Sequence, residues 1–151
     1  MTARLPVITG LGIVAAPGCG VAEVWQSIAT NVSGLKPLQL FQSPRYGQIP
    51  VGEVQRDLLA MGAPAHGSRS DRLGWLAARE AIHSSNLDLR ACADRAGVLL
   101  GSSVGGSYDS ELFLTTLIKQ KKMRARATRF HECSSTTDLL EIGRASCRER
   151  V

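Results

Sequence analysis

The sequence predicts an α/β layered fold, and three observations point there. Apolar segments rich in small residues, of the kind buried on both faces of a sheet, alternate with segments of helical periodicity. Glycine-rich turns join the two kinds of segment. Aromatics make up only 5% of a chain that is 44% apolar, so the core must rest on Leu, Val, Ile and Ala in close helix–sheet contact.

Each element follows in order. Residues 5–16 are apolar, and their first part reads as a buried strand ending at the breaker cluster Pro17-Gly-Cys-Gly20. Residues 21–30 place Val21, Val24, Trp25 and Ile28 at helical spacing, with Gly34 as the stop. Residues 41–46 read as loop, 49–54 as a short strand and 62–70 as loop. Residues 70–83 read as a helix, with Ser70 as N-cap and Asp71 in the first turn, where negative charge is favoured. Its apolar stripe of Leu73, Leu76, Ala77 and Ala81 has one polar break, Glu80. Residues 95–101 read as a second buried strand, 102–107 as a glycine turn and 108–121 as a helix. Residues 130–137 are polar and irregular, and 138–140 open a further element. There is no internal repeat.

Several function classes fall away on composition. No apolar run reaches the ~20 residues of a membrane span. The N-terminus carries no apolar signal-peptide core, so the expected compartment is the cytoplasm. Cys19, Cys92, Cys133 and Cys147 form no C-x-x-C pair and fit no zinc spacing, which reads as free thiols. The net charge of +5 is concentrated in Lys119, Lys121, Lys122, Arg124, Arg126 and Arg129, with no acid between them. Such a run suits an acidic partner or phosphates, or a solvated helix end. No aromatic is interleaved to stack on bases, which argues against nucleic acid.

Residues 141–151, Glu-Ile-Gly-Arg-Ala-Ser-Cys-Arg-Glu-Arg-Val, lack apolar periodicity. One back-translation of them resembles a common DNA-sequencing adapter. They are expected to be non-native read-through and are set outside the fold, leaving 1–140 as the domain.

Three glycine patterns carry candidate chemistry. Gly10-Leu-Gly12-Ile-Val-Ala15 matches the G-x-G-x-x-A of dinucleotide binding. However, Pro17, Gly18 and Gly20 break the chain where the phosphate-binding helix should run, and no acid near position 30 is placed to hold a ribose. Gly101-Ser-Ser-Val-Gly105 matches the G-x-S-x-G elbow, which would make Ser103 a nucleophile with Asp109 and His131 following in hydrolase order. The plain alternative is a tight strand-to-helix turn of small residues.

The third pattern takes the glycine segments together. Val7-Ile-Thr-Gly-Leu-Gly-Ile-Val14, Pro17-Gly-x-Gly-Val-x-x-Val-Trp25 and Ser33-Gly-Leu35 resemble the opening of the β-ketoacyl-acyl-carrier-protein synthases. Gly52-Glu-Val54, Asp71-Arg72 with Ala77-Ala-Arg-Glu-Ala81, and Arg95-Ala-Gly-Val-Leu-Leu-Gly-Ser-Ser-Val-Gly-Gly106 resemble further motifs of that family, in the family's order. The resemblance spans 5–106 and thins out to 140.

The resemblance implies the N-terminal half of a thiolase-like five-layered α/β/α/β/α fold, incomplete in this chain. It implies a dimer, homo- or heteromeric, that meets an acyl carrier protein, and a decarboxylative Claisen condensation that needs no cofactor. In such a reaction a cysteine takes the acyl group, and enolate and oxyanion are stabilised by donors. The family's nucleophile and both histidines lie beyond the end of this chain, so no catalytic residue is carried over, and the chain alone is expected to be inactive and poorly stable. Cys133-Ser-Ser135 looks like the nucleophile's surroundings, but no Thr-Ala precedes it and no Gly follows. It matches instead the segment ahead of the nucleophile strand. His66, His83 and His131 read as surface or loop residues. Val104, before the glycine pair, matches a position that lines the acyl pocket. His131 and Glu132 stand where the family often has apolar residues, which leaves a polyketide or aryl substrate, or a non-catalytic chain-length-type partner subunit, as open alternatives.

Overall fold

The computed structural model describes residues 5–88, 90–91, 95–99, 101 and 105–120. It contains β1 (Val14–Ala15), β2 (Gly18–Cys19), α1 (Val21–Ala29), β3 (Lys36–Pro37), β4 (Pro50–Val51), α2 (Arg69–Ser85) and α3 (Ser107–Gln120). Contacts divide the chain into two compact units, Met1–Gly62 with Leu76–Leu87, and Ala63–Trp75 with Asp88–Val151.

In the first unit the breaker cluster belongs to a hairpin, with the turn at Ala16 and Pro17 and with Gly18 and Cys19 forming β2. β1 pairs antiparallel with β2, Val14 opposite Cys19 and Ala15 opposite Gly18. Gly20 then takes φ +112, a left-handed conformation that glycine adopts freely, and donates its N–H to the Ile13 carbonyl at 2.8 Å before α1 begins. α1 buries Val24, and its Ser27 hydroxyl donates to the Pro17 carbonyl at 2.8 Å. The helix stops at Asn31, which sits at φ +55, rather than at Gly34. Gly34 serves another purpose: a Cβ there would strike the Ala16–Pro17 backbone. β3 pairs antiparallel with β4, Lys36 opposite Val51. The buried apolar side chains of this unit are Val24, Val54, Leu58 and Leu76.

The second unit holds the start of α2. Its N-cap is Ser68, two residues earlier than the sequence reading placed it. Ser68 Oγ accepts from the Asp71 N–H at 3.2 Å, and Asp71 Oδ2 accepts from the Ser68 N–H at 2.7 Å. This reciprocal pair is a capping box. Arg72 donates to the carbonyls of Pro64 and Ala65, holding the preceding loop on the helix. Ala63 and Ser68 are buried.

Two expected strands are not found. Among the described residues, 5–13 and 95–99 form no strand, and the sheets are two separate two-stranded pairs. An extended apolar segment becomes a strand when a neighbour pairs with its backbone. Among the described residues none pairs with 7–10, where Val7 is 77% and Ile8 84% exposed. Leu99, in the second segment, is fully exposed. The helices, by contrast, lie within two residues of their predicted bounds at every end.

Candidate functional site

The first glycine motif packs against a helix. Residues 10–13 run along α2, and a Cβ on Gly10 would strike the Ala81 carbonyl oxygen, while one on Gly12 would strike that of Ala77. Small residues on both sides, Gly10 and Gly12 against Ala77 and Ala81, permit this approach. Polar groups of α2 then satisfy the backbone of the segment. Ser84 Oγ accepts from the Leu11 N–H at 3.1 Å and lies 3.0 Å from the Leu11 carbonyl. One turn earlier, Glu80 Oε2 accepts from the Ile13 N–H at 2.9 Å, and its Oε1 accepts from the Val21 N–H at 2.8 Å.

That geometry disposes of dinucleotide binding at this motif. Pyrophosphate recognition needs the glycines open to a ligand and a free helix N-terminus. Here α2 lies against the glycines, and the first N–H of α1 is held by the Glu80 carboxylate.

A groove of about 350 Å³ runs beside this contact, walled by Ile8, Leu11 and Val21, with Glu80 and Ser84 at its edge. Both Glu80 oxygens and the Ser84 hydroxyl are engaged by backbone. The groove therefore offers apolar surface together with the Thr9 hydroxyl, while Glu80 and Ser84 are already committed to backbone and are not available for acid–base or nucleophilic work. A second hollow of about 460 Å³ lies in the loop between β3 and β4, against Leu38, Phe41 and Pro44.

The one described thiol is not activated. Cys19 is half-buried, and burial pushes its thiol above the usual range against the opposing pull of the Arg56 guanidinium. Beside it, the Cys19 N–H donates to Glu23 Oε2 at 2.9 Å, and Glu23 pairs with Arg56 at 2.9 Å. The Cys19 hydrogen bond, aided by Arg56, holds the Glu23 carboxyl below its usual range. Among the described residues no group of three His, Cys, Asp or Glu side chains is placed to hold a metal.

The second glycine motif leads into α3. Gly106 is buried, takes φ +77 and accepts the Ser110 N–H at 2.9 Å, so it caps the helix with its carbonyl. Ser103 and Val104, ahead of Gly105, lie outside the described residues, as do Cys92, His131, Cys133, Cys147 and the cations from Lys121 to Arg129. Lys119 is exposed in the last turn of α3. His66 and His83 are exposed, in a loop and at a helix end, as their surroundings in the sequence implied. Among the described residues, no helix is long and apolar enough to cross a membrane.

Sequence reading missed Glu80, Ser84 and the capping serine. Two signals were present: the polar break in the α2 stripe, and Ser68-x-x-Asp71, a capping-box spacing.

No profile of a known protein family matches the chain. Individual relatives do. The ketoacyl synthase alpha subunit of the tetracenomycin polyketide synthase from Streptomyces glaucescens is 36% identical over 104 residues, 66% of this chain and 24% of that protein. A granaticin polyketide putative beta-ketoacyl synthase from Streptomyces violaceoruber is 34% identical over 74% of this chain and 27% of its own length. A 3-oxoacyl-[acyl-carrier-protein] synthase 2 from Coxiella burnetii is 32% identical over 70% of this chain. The chain thus spans about a quarter of the length of the curated relatives it matches. Among solved structures, the ishigamide ketosynthase/chain length factor superposes with a TM-score of 0.64 over 82% of this chain and 32% of its own, at 23% identity. The fold is therefore shared with part of that structure.

Proposed function

The chain is a member of the β-ketoacyl synthase family over the region it shares with these relatives, and from that membership we propose that residues 1–140 are the N-terminal region of a 3-oxoacyl-[acyl-carrier-protein] synthase. The complete protein carries out a decarboxylative Claisen condensation in fatty acid or polyketide synthesis. A cysteine thiolate accepts the acyl group from a carrier protein, and the carbanion left when malonyl-carrier protein loses CO2 attacks the thioester. Preorganised donors stabilise the enolate and the tetrahedral oxyanion. The identity to the tetracenomycin ketoacyl synthase alpha subunit carries this reading.

The role of the present residues in that protein is scaffolding and binding. Val104 lines the acyl pocket. The cations Lys119, Lys121, Lys122, Arg124, Arg126 and Arg129 steer the acidic carrier protein during encounter, an attraction that salt screens within ~8–10 Å.

The test uses the complete gene. The protein is incubated with acyl- and malonyl-loaded carrier protein, and the carrier is weighed by mass spectrometry. Formation of 3-oxoacyl carrier, abolished when the cysteine at the family's nucleophile position is replaced by Ala, supports the reading. Another residue at that position, with condensation restored only by a ketosynthase partner, makes the protein a chain-length-type subunit instead. Condensation by neither route overturns the proposal. Replacing Lys121, Lys122 and Arg124 with Ala is expected to weaken carrier use at low salt, and the loss shrinks as salt rises.

A further inference from the structure

The polar break in the α2 stripe has a structural task. We propose that Glu80 is a conformational clamp: one carboxylate that joins the 10–13 segment to α2 and caps α1 from a distant part of the chain.

α1 is poorly equipped to start by itself. It is nine residues long, below the ~12–15 at which isolated helices become marginal. It buries one side chain, Val24, and its N-cap is Gly20, which has no side chain to cap with. Its own Glu23 is turned back to the Cys19 N–H and to Arg56 rather than to the first turn. The acceptor for the Val21 N–H arrives from residue 80, fifty-nine positions away, at 2.8 Å. A carboxylate at that place also meets the positive end of the helix dipole.

The second oxygen is committed to Ile13 N–H at 2.9 Å, in the run whose glycines lie on α2. Ser84 repeats the arrangement one helical turn on, with Leu11. Positions 80 and 84 on a helix are neighbours along one face, and positions 11 and 13 on an extended chain point to one side. The two spacings match, so α2 stands in for a neighbouring strand over these residues. Gly20 fits the same picture: a Cβ on it would lie 3.2 Å from Glu80 Oε1, at a φ side chains avoid. The first N–H of α1 is therefore satisfied only while α2 is in place.

Residue-resolved amide exchange tests this in the complete protein, comparing it with Glu80→Gln and Glu80→Ala. Gln keeps the shape, but its amide nitrogen cannot accept. Loss of Glu80 is expected to speed exchange at Val21 and Ile13 about tenfold relative to amides in the middle of α2. Unchanged exchange at both amides overturns the clamp, and so does an equal acceleration across the whole chain. If neither variant folds, the unmodified protein decides. Scalar couplings across the hydrogen bonds from the Ile13 and Val21 amide nitrogens to the Glu80 carboxyl carbon support the clamp, and their absence at both rejects it.

Discussion

The starts of α1 and α2 solve one problem in opposite ways. Both helices expose unsatisfied N–H groups in their first turn. At α2 the remedy is local: Ser68 and Asp71, three residues apart, exchange hydrogen bonds at 3.2 and 2.7 Å. At α1 the N-cap is a glycine, and the acceptor is Glu80 on another helix. A local cap travels with its own segment and can form as soon as the helix does. A distant cap depends on tertiary contact, and here it depends on glycines at 10 and 12 that let the backbone lie against α2. The cost of the second solution is that several residues must stay as they are, since Gly10, Gly12, Gly20, Ala77 and Ala81 all crowd the same contact.

The contrast can be broken at one end or the other. The largest effect is expected from Gly12→Ala. The added methyl meets the Ala77 carbonyl, a backbone atom with no freedom to yield, and the segment must lift from α2. Overpacking of this kind costs about 3 kcal/mol. Circular dichroism during urea unfolding should show a lower midpoint, and amide exchange should show α1 loosened before α2. Equal loosening of both helices would erase the contrast.

Ser68→Ala acts on the local cap. Removing such a side chain costs about 1 kcal/mol. Exchange at the Asp71 amide should accelerate while Val21 is untouched, and an effect on Val21 of the same size would show that the two starts are not independent.

Cys19, beside the start of α1, supplies a smaller test. Its thiol is pushed up by burial, so less thiolate is present at mildly alkaline pH than in an unfolded peptide. Iodoacetamide labelling of the Cys19 peptide, followed by mass spectrometry, should run slower in the native chain than in urea. Equal rates would place the thiol in open solvent.

The smallest effect belongs to Glu23. Its carboxyl is held below the usual range by the Cys19 N–H and by Arg56, so its contribution is present above the ordinary glutamate pKa and is lost as pH falls through the depressed one. The side chain is exposed, and solvent screens the pair. Glu23→Gln should flatten the acid limb of a stability-versus-pH curve slightly, and an unchanged limb would remove Glu23 from the account of this turn.

Legibility in the sequence followed the range of the interaction. The three helices were readable because their periodicity is local: Val21, Val24, Trp25 and Ile28 lie within two turns, and Gly106 opens α3 with its own carbonyl. The capping box at Ser68 was equally local. The strands were not readable in the same way. Apolar content at 5–13 and 95–99 is a property of the segment, but a strand is a property of a pair, and among the described residues these have no partner strand. The paired residues are the short hairpin at Val14–Cys19, at the far end of the apolar run, and the Lys36–Val51 pair, of which Pro50–Val51 lies within the strand expected at 49–54 while Lys36–Pro37 has no apolar run to announce it.

The amino-acid sequence by itself determined the kinship with the ketoacyl synthases, since ordered glycine and apolar motifs persist without any fold in view. It also determined where the helices run, because turn-to-turn spacing is written along the chain. Only the tertiary structure decided what the first glycines are for. G-x-G fits a phosphate cradle and a helix contact equally well in one dimension. The backbone of Ala77 and Ala81 against Gly10 and Gly12, with Glu80 filling the α1 N-terminus, comes from residues some sixty-five positions away. Contacts across that separation are set by how elements pack, and no local pattern encodes them.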